Sequence, residues 1–147
     1  MTHNDAAKYD FTQQIGYLLR RAYQRHTAIF QQTVPASQLT AAQFVVMLTV
    51  RDRGPCEIAP IAQHTAIDEP SLRGIVERLK WRQLLNADHE PGDARRMVVS
   101  LTPAGQELLE QTVPFAQEIT ELTYGDLNAQ ERATLVALLH KMSGTNA

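Results

Sequence analysis

Apolar residues recur at helical spacing along most of the chain, and the most regular stretch lies between residues 67 and 79. Its apolar stripe repeats at intervals of three and four residues and consists of Leu72, Ile75, Val76 and Leu79. Its opposite face consists of Ser71, Arg73, Gly74, Glu77 and Arg78. Asp68 is a good N-cap for this helix, and Pro70 falls in the first turn, where a missing N–H costs nothing. A shorter helix predicted from Glu57 to Thr65 comes before it, so the pair has the layout of a helix-turn-helix.

Longer helices are predicted on both sides of this motif. One covers residues 11–33, after an N-terminal arm without regular structure. Thr40 is the expected cap of a second helix. Residues 102–124 form a third, which starts with a threonine cap and a proline and is kinked at Pro114. Asn128 opens the last helix through a capping box. The chain is therefore predicted to be mainly α-helical.

The periodicity changes after the helix-turn-helix. Residues 85–90 and 96–101 have the alternation of β-strands, and the turn Pro91-Gly92-Asp93 joins them, a pattern that predicts a two-stranded ribbon. Trp81, just beyond the apolar stripe, is expected to pack at the base of this ribbon. The predicted fold is mainly α with a two-stranded β wing: a winged helix-turn-helix flanked by N- and C-terminal helices.

Composition narrows the class of protein. The chain is 44% hydrophobic, which predicts one ordered domain over residues 1–147. Its net charge of -2 gives no general attraction to a polyanion, so any nucleic-acid hypothesis rests on local pattern. The single cysteine and an N-terminus without an apolar signal region fit a reducing cytoplasm. No apolar run is long enough to span a bilayer, so no membrane partner is expected.

Enzyme and metal sites are not predicted. The histidines lack the spacing of known zinc motifs and are His3, His26, His64, His89 and His140. The sequence also has no nucleophile elbow and no glycine-rich phosphate loop. We therefore expect no catalytic residue, no metal ligand and no cofactor.

Several short segments, taken in order, resemble the MarR family of bacterial transcriptional regulators. The matching residues are Ile61-Ala62, Asp68 with the apolar spacing to Leu79, Asp93-Ala94-Arg95, Leu101 to Gly105, and Leu127 to Arg132. The resemblance covers nearly everything from Phe11 to Met142. Residues 15–26 and 65–79 are also similar to family members that control aromatic-acid catabolism, hydroxynicotinate-type repressors included. One departure is Gln83, which stands where the family usually has glycine between helix and wing.

The resemblance implies a dimer whose terminal helices interlock. Residues 38–102 would form the winged helix-turn-helix lobe, and residues 10–35 and 103–143 the helical dimerisation lobe. A lone chain would expose the apolar stripes of those helices, which also favours a homodimer. Two recognition helices would then enter successive major grooves of a pseudo-palindromic operator in double-stranded DNA.

The polar face of the recognition helix supplies the first candidate DNA contacts. Arg73 or Arg78 can bind guanine O6 and N7 through two hydrogen bonds, and Ser71 can bind a phosphate or a base edge. Gly74 weakens a helix interior by about 0.5–1 kcal/mol, so close approach of its backbone to DNA is a reason for its presence. A solvated helix face is the alternative.

The wing supplies the second set of candidate DNA contacts. The family has an aspartate and an arginine at the positions of Asp93 and Arg95, and the resemblance implies that the carboxylate orients the arginine for a phosphate or a narrow groove. Arg96 is a further phosphate candidate. Residues 68–96 nevertheless hold six basic and six acidic side chains, which predicts modest non-specific affinity.

A small-molecule effector is the other implied partner, because members of the family commonly bind aromatic or phenolic acids between the two lobes. A carboxylate ligand needs a cation or donor at the end of an apolar slot. Arg20, Tyr23 and His26, with Phe44 and Met47 as walls, are the candidate ligand-binding residues. His26 is alternatively an ordinary core or interface histidine.

Two other functions stay open at this point. Winged helices also bind proteins, so a protein-interaction module is one alternative. A thiol-based redox sensor through Cys56 is the other, although the sequence places this cysteine in a turn after Gly54-Pro55 with only Arg53 as a nearby base. The preferred prediction is a ligand-responsive, DNA-binding transcriptional repressor.

Overall fold

The computed structural model describes residues 3–35 and 39–146, so the predicted lobe boundary at residue 38 and the chain ends at residues 1 and 147 lie outside the described residues. The helices are α1 (His3–Ala7), α2 (Ile15–Thr33), α3 (Ala41–Arg53), α4 (Ile58–Thr65), α5 (Glu69–Trp81), α6 (Pro103–Thr112), α7 (Ala116–Tyr124) and α8 (Ala129–Ser143). The strands are β1 (Cys56–Glu57), β2 (Leu85–Glu90) and β3 (Asp93–Leu101). The predicted winged helix-turn-helix is formed by α4, α5 and the hairpin of β2 and β3.

Each predicted helix cap is confirmed by a side-chain hydrogen bond. Thr40 accepts the Gln43 N–H and completes a capping box at the start of α3. Asp68 accepts the Ser71 N–H at the start of α5. Thr102 caps α6, and Asn128 forms the predicted capping box at α8. Because these bonds satisfy backbone donors that a helix leaves open, they fix where each helix begins.

The sheet has one strand more than the predicted ribbon. Strand β1 pairs antiparallel with β3, which gives the order β1-β3-β2 and the register Cys56 opposite Val99 and Glu57 opposite Val98. A two-residue strand is too short to show alternation, so the sequence pattern misses it. Cys56 therefore lies in a strand and not in a free turn. The pairing also fixes the start of α4 against the wing.

The core lies beneath the recognition helix α5. Leu72, Val76 and Leu79 of the predicted stripe are buried, and Ile75 is half-buried. They belong to one cluster of buried residues whose other members include Met47, Ile61, Leu85, Val99 and Leu109. Burial of one face leaves the polar face of α5 toward solvent. The helix thus packs on the core through its apolar face, with its candidate DNA contacts outward.

The flanking helices differ in detail from the prediction. The N-terminal arm contains the short helix α1, and the predicted helix over residues 11–33 is interrupted at Gln14, whose extended backbone separates a 3₁₀ turn from α2. The Pro114 kink is a 3₁₀ turn at Val113–Phe115 that divides α6 from α7. Gly125, with φ of 60°, ends α7.

Apolar side chains remain exposed on both terminal segments. On the N-terminal side they include Phe11, Ile15, Leu18, Leu19 and Tyr23. On α8 they include Leu135, Leu138, Leu139 and Met142, and no residue of this fully described helix is buried. A single chain therefore leaves two apolar helix faces uncovered, which is the pattern of an interface.

Candidate functional site

The outward face of α5 carries the four predicted DNA contacts of this helix. Ser71, Arg73, Gly74 and Arg78 are all exposed. A Cβ atom built on Gly74 would have no neighbour within 4 Å, so nothing inside the protein accounts for a glycine here. The arrangement therefore leaves this part of the helix backbone open to a partner.

The Asp68 cap organises the first turn of α5. The backbone N–H of Ser71, followed by its hydroxyl, holds the pKa of the Asp68 carboxyl below its usual value. The Ser71 hydroxyl is thus close to the cap as well as to solvent. Asp68 fixes the helix terminus whose dipole favours an anion such as phosphate.

The wing arginine and its aspartate are in contact. Asp93 Oδ1 accepts the Arg95 backbone N–H at 3.0 Å and lies 3.6 Å from Arg95 Nε. The Arg95 side chain is 94% exposed, so this long ion pair contributes little stability. Arg95 therefore has its backbone held by Asp93 and its guanidinium exposed to solvent.

A cleft of about 160 Å³ joins the recognition helix to the wing. It brings together Arg73 from α5 with Arg95 and Arg96 from β3. Glu57 and Glu69 also line it. Arg73 of the helix and Arg95 and Arg96 of the wing, more than twenty positions further along the sequence, therefore share one surface of mixed charge.

Arg96 is paired in this structure. Its Nε donates to Glu57 Oε1 at 2.9 Å, and its Nη2 contacts the same oxygen. This hydrogen bond, together with the attraction of the carboxylate, raises the pKa of Arg96. The sequence could not indicate this pair, because the two residues are 39 positions apart and meet only through the unpredicted strand β1.

The candidate effector residues are brought together only in part. His26 and Phe44 line a cavity of about 160 Å³ whose other walls are Phe30, Ala41, Val45, Ala116, Ile119 and Thr120. Tyr23 does not line this cavity, although its ring centroid is 6.2 Å from that of His26. Met47 is fully buried in the core, and neither it nor Arg20 is among the residues of that wall. The Met47 side chain follows the inner face of α3, which accounts for its position.

A larger cavity of about 510 Å³ adjoins the first and shares His26 and Thr120 with it. The arginine on its wall is Arg25, which sequence reasoning did not select. Arg25 Nη2 donates to the Leu122 carbonyl at 2.8 Å, and its Nη1 donates to the Thr123 carbonyl, so it binds the C-terminal end of α7.

Hydrogen bonds fix the orientation of His26. The Thr123 hydroxyl donates to the Ile119 carbonyl at 2.7 Å. Its single hydrogen is therefore used, and it accepts from His26 Nδ1, which lies 2.9 Å away. In the neutral ring, Nε2 is then a hydrogen-bond acceptor. The ring that lines both cavities is thus suited to a ligand group that donates a hydrogen.

Cys56 has the environment of an unreactive thiol. It is half-buried in β1, and burial raises its pKa, although the charge of Arg53 opposes that shift. A higher pKa means less thiolate, the reactive form.

The described part of the chain offers neither a metal cluster nor a membrane span. Across residues 3–35 and 39–146, no group of three or more histidine, cysteine, aspartate or glutamate side chains is placed to share a metal ion. Over those residues, no helix is both long and apolar enough to cross a membrane.

Comparison with known proteins gives several close relatives. No family model matches the chain. The transcriptional repressor NicR of Pseudomonas putida is 50% identical over 138 residues, which are 94% of this chain and 87% of NicR. The structure of Bordetella bronchiseptica BpsR, whose DNA binding is regulated by 6-hydroxynicotinic acid, is 56% identical, with a TM-score of 0.82 over 89% of this chain and 99% of BpsR. A mutant of Escherichia coli MarR in complex with operator DNA is 26% identical, with a TM-score of 0.79 over 91% of this chain and 99% of MarR.

The fold and these relatives define the class of protein. The chain has a winged helix-turn-helix with flanking helices. Its sequence similarity to NicR extends over nearly its whole length. It belongs to the MarR family of transcriptional regulators. The resemblance inferred from its motifs is confirmed.

Proposed function

We propose that this chain is a cytoplasmic, homodimeric repressor that binds a pseudo-palindromic DNA operator and leaves it when a small aromatic acid binds. It acts as a regulator and not as an enzyme. Residues 38–102 form its DNA-binding lobe, and residues 10–35 and 103–143 form its dimerisation lobe. The relatives named above support this proposal, because they are a repressor, a protein regulated by 6-hydroxynicotinic acid and a regulator crystallised on its operator.

The observation that carries the DNA-binding part is the shared cleft between α5 and the wing. Arg73 and Arg95 both line this cleft, which supports the proposal that one protomer holds a base edge and the adjacent backbone together. Ser71, Gly74 and Arg78 continue the same exposed surface along α5, and Asp93 restrains the wing arginine. Arg96 is held by Glu57 in the protein without DNA.

Dimerisation supports this proposal in two ways. The exposed apolar faces of α2 and α8 gain a cover in a second copy of the chain. Two copies related by a two-fold axis also present two recognition helices, which contact half-sites about 34–36 Å apart. With a nearly balanced charge in each lobe, double engagement supplies much of the affinity.

The effector proposal rests on the cavities around His26. The smaller cavity lies between α2 and α7 of the dimerisation lobe and α3 of the DNA-binding lobe. The larger one lies among α2, α7 and α8, within the dimerisation lobe. The smaller cavity is below the usual size of a drug-like site and suits a single-ring acid. His26 Nε2 accepts the hydroxyl or ring N–H of a hydroxynicotinate-type ligand. Such a ligand releases DNA by favouring a lobe spacing that does not match two major grooves.

The DNA-binding part is tested with the DNA upstream of the chain's own gene. Wild-type protein is expected to retard this fragment at low salt, whereas Arg73→Ala is expected to lose specific retardation and remain a dimer. Arg21→Ala removes the same charge from α2 and serves as the control. Absence of retardation by wild-type protein at micromolar concentration would refute the function. Unchanged affinity of Arg73→Ala would refute the role given to α5.

The effector part is tested with a pair of ligands. We expect 6-hydroxynicotinate to release the fragment and nicotinate, which lacks the donating group, to do so much less. His26→Ala is expected to reduce the difference between the two ligands without reducing operator affinity in their absence. An equal response to both ligands in wild-type protein would argue against the acceptor role of His26.

A further inference from the structure

The side chain of Glu57 does not cap the helix at whose N-terminus it stands. It is the N-cap residue of α4, where serine, threonine, aspartate or asparagine is preferred. Its side chain makes no capping hydrogen bond. The carboxylate instead reaches across the sheet, where β1 pairs with β3, and binds Arg96. The Glu57 side chain is thus used for a contact with the wing and not for the terminus of its own helix.

The contact lies within the proposed DNA-binding surface. Glu57 and Arg96 line the same cleft as Arg73 and Arg95, and the cleft holds only about 160 Å³. A DNA phosphate that approaches Arg96 must displace or repel the Glu57 carboxylate. Both side chains of the pair are partly exposed, with 57% of Arg96 and 40% of Glu57 accessible, so DNA can reach either one.

We propose that Glu57 is a specificity-determining residue, which withholds Arg96 from the DNA backbone and so makes binding depend on the base contacts of α5. Phosphate contacts bind every sequence alike, whereas base contacts distinguish the operator. An arginine neutralised by a fixed carboxylate adds little to non-specific binding. The operator is thereby favoured over the large excess of other DNA, at the expense of total affinity.

The size of the effect follows from counterion release. Each phosphate neutralised by a cation makes the logarithm of the binding constant fall with the logarithm of salt by about 0.9 more. Releasing Arg96 in both protomers therefore steepens the salt dependence by about 1.8. Between 50 and 200 mM salt this corresponds to a further change of about 12-fold in affinity.

The proposal rests on the DNA binding proposed above and is tested in the same assay. Affinities for the upstream fragment and for a scrambled duplex are measured by fluorescence anisotropy at several salt concentrations. Glu57→Gln is expected to bind the scrambled duplex more tightly, with a steeper salt slope and a smaller operator preference. Glu57→Ala is expected to do the same and is used if the glutamine variant does not fold. Glu118→Gln on α7 makes the same charge change away from the cleft.

A double variant assigns the effect to Arg96. In an Arg96→Gln background, Glu57→Gln is expected to change the salt slope no more than Glu118→Gln does. A slope for Glu57→Gln equal to that of Glu118→Gln, or weaker binding to both duplexes, would overturn the proposal while leaving the regulator function intact. If wild-type protein binds neither duplex, the function itself is refuted.

Discussion

Replacing Thr123 by valine tests whether this α7 residue sets the tautomer of His26 in the proposed effector cavity. Thr123 accepts a hydrogen bond from His26 Nδ1 and donates one to the Ile119 carbonyl, and valine has nearly the same shape without the hydroxyl. The variant therefore removes the partner that sets the His26 tautomer and leaves the packing of α7 against α2 in place.

The loss of unfolding free energy is expected to be small, and the loss of effector affinity is expected to be measurable. A net hydrogen bond contributes about 1 kcal/mol, and water can replace part of it because His26 is only half-buried. The bond from Thr123 to its own helix adds little, since the Ile119 carbonyl already accepts a backbone N–H. If the fixed Nε2 acceptor contributes a similar amount to effector binding, the dissociation constant rises by about 5-fold.

Urea unfolding and titration with 6-hydroxynicotinate measure the two effects. Thr65→Val is the matched control, because the Thr65 hydroxyl also donates to the carbonyl four residues earlier, in α4, and lies away from His26. The operator affinity of Thr123→Val without effector is expected to stay at the wild-type value. An effector response of Thr123→Val that equals that of Thr65→Val would refute the assignment of the His26 tautomer to Thr123.

Three further predictions concern two glycines, the Asp68 cap and Cys56. Gly105→Ala places a Cβ atom 2.2 Å from the Leu84 carbonyl oxygen and is expected to lower the free energy of unfolding by about 1–3 kcal/mol. Gly74→Ala places its Cβ atom in open space and is expected to raise the free energy of unfolding by about 0.5–1 kcal/mol and to weaken operator binding. Urea titration measures the stability of both variants, and fluorescence anisotropy measures their operator binding. Asp68 has a lowered pKa in the folded protein, so its charge stabilises the protein above the unfolded pKa of about 3.9. This contribution is lost as pH falls through the lower folded pKa. The difference in urea midpoint between wild type and Asp68→Asn should therefore be present at pH 7 and shrink towards pH 3. Because burial raises the pKa of Cys56, peroxide is expected to affect operator binding equally little in wild type and Cys56→Ser; loss of binding in wild type alone would contradict this.

Capping residues made the helical boundaries predictable. Asp68, Thr102 and Asn128 each act within three residues of themselves, so their effect is visible in the sequence alone. The stripe from Leu72 to Leu79 predicted both the helix and its buried face for the same local reason.

Trp81 shows where hydrophobicity misleads. It was expected to pack at the base of the wing, but its side chain is 87% exposed. It lies nine positions after Leu72, which at about 100° per residue places it roughly opposite the buried stripe. The helical period was a better guide than the apolar character of the side chain.

Features that depend on distant residues were not predictable. The pair of Glu57 with Arg96 and the contact of His26 with Thr123 each require the folded arrangement of separate elements. The conformation of Gln83 was not predicted, although the residue itself is a departure from the family. Its φ of 63° lies in the left-handed region that favours glycine, which gives a physical reason for the glycine that the family usually has there.

Operator binding measured with and without effector at fixed salt tests the central claim most directly. A labelled duplex from the DNA upstream of the gene is titrated with wild-type protein, and fluorescence anisotropy is recorded before and after addition of 6-hydroxynicotinate. We predict binding at micromolar protein or below, preference over a scrambled duplex, and release by the effector. Equal binding to both duplexes, or operator binding that the effector and related aromatic acids leave unchanged, would contradict a ligand-responsive repressor.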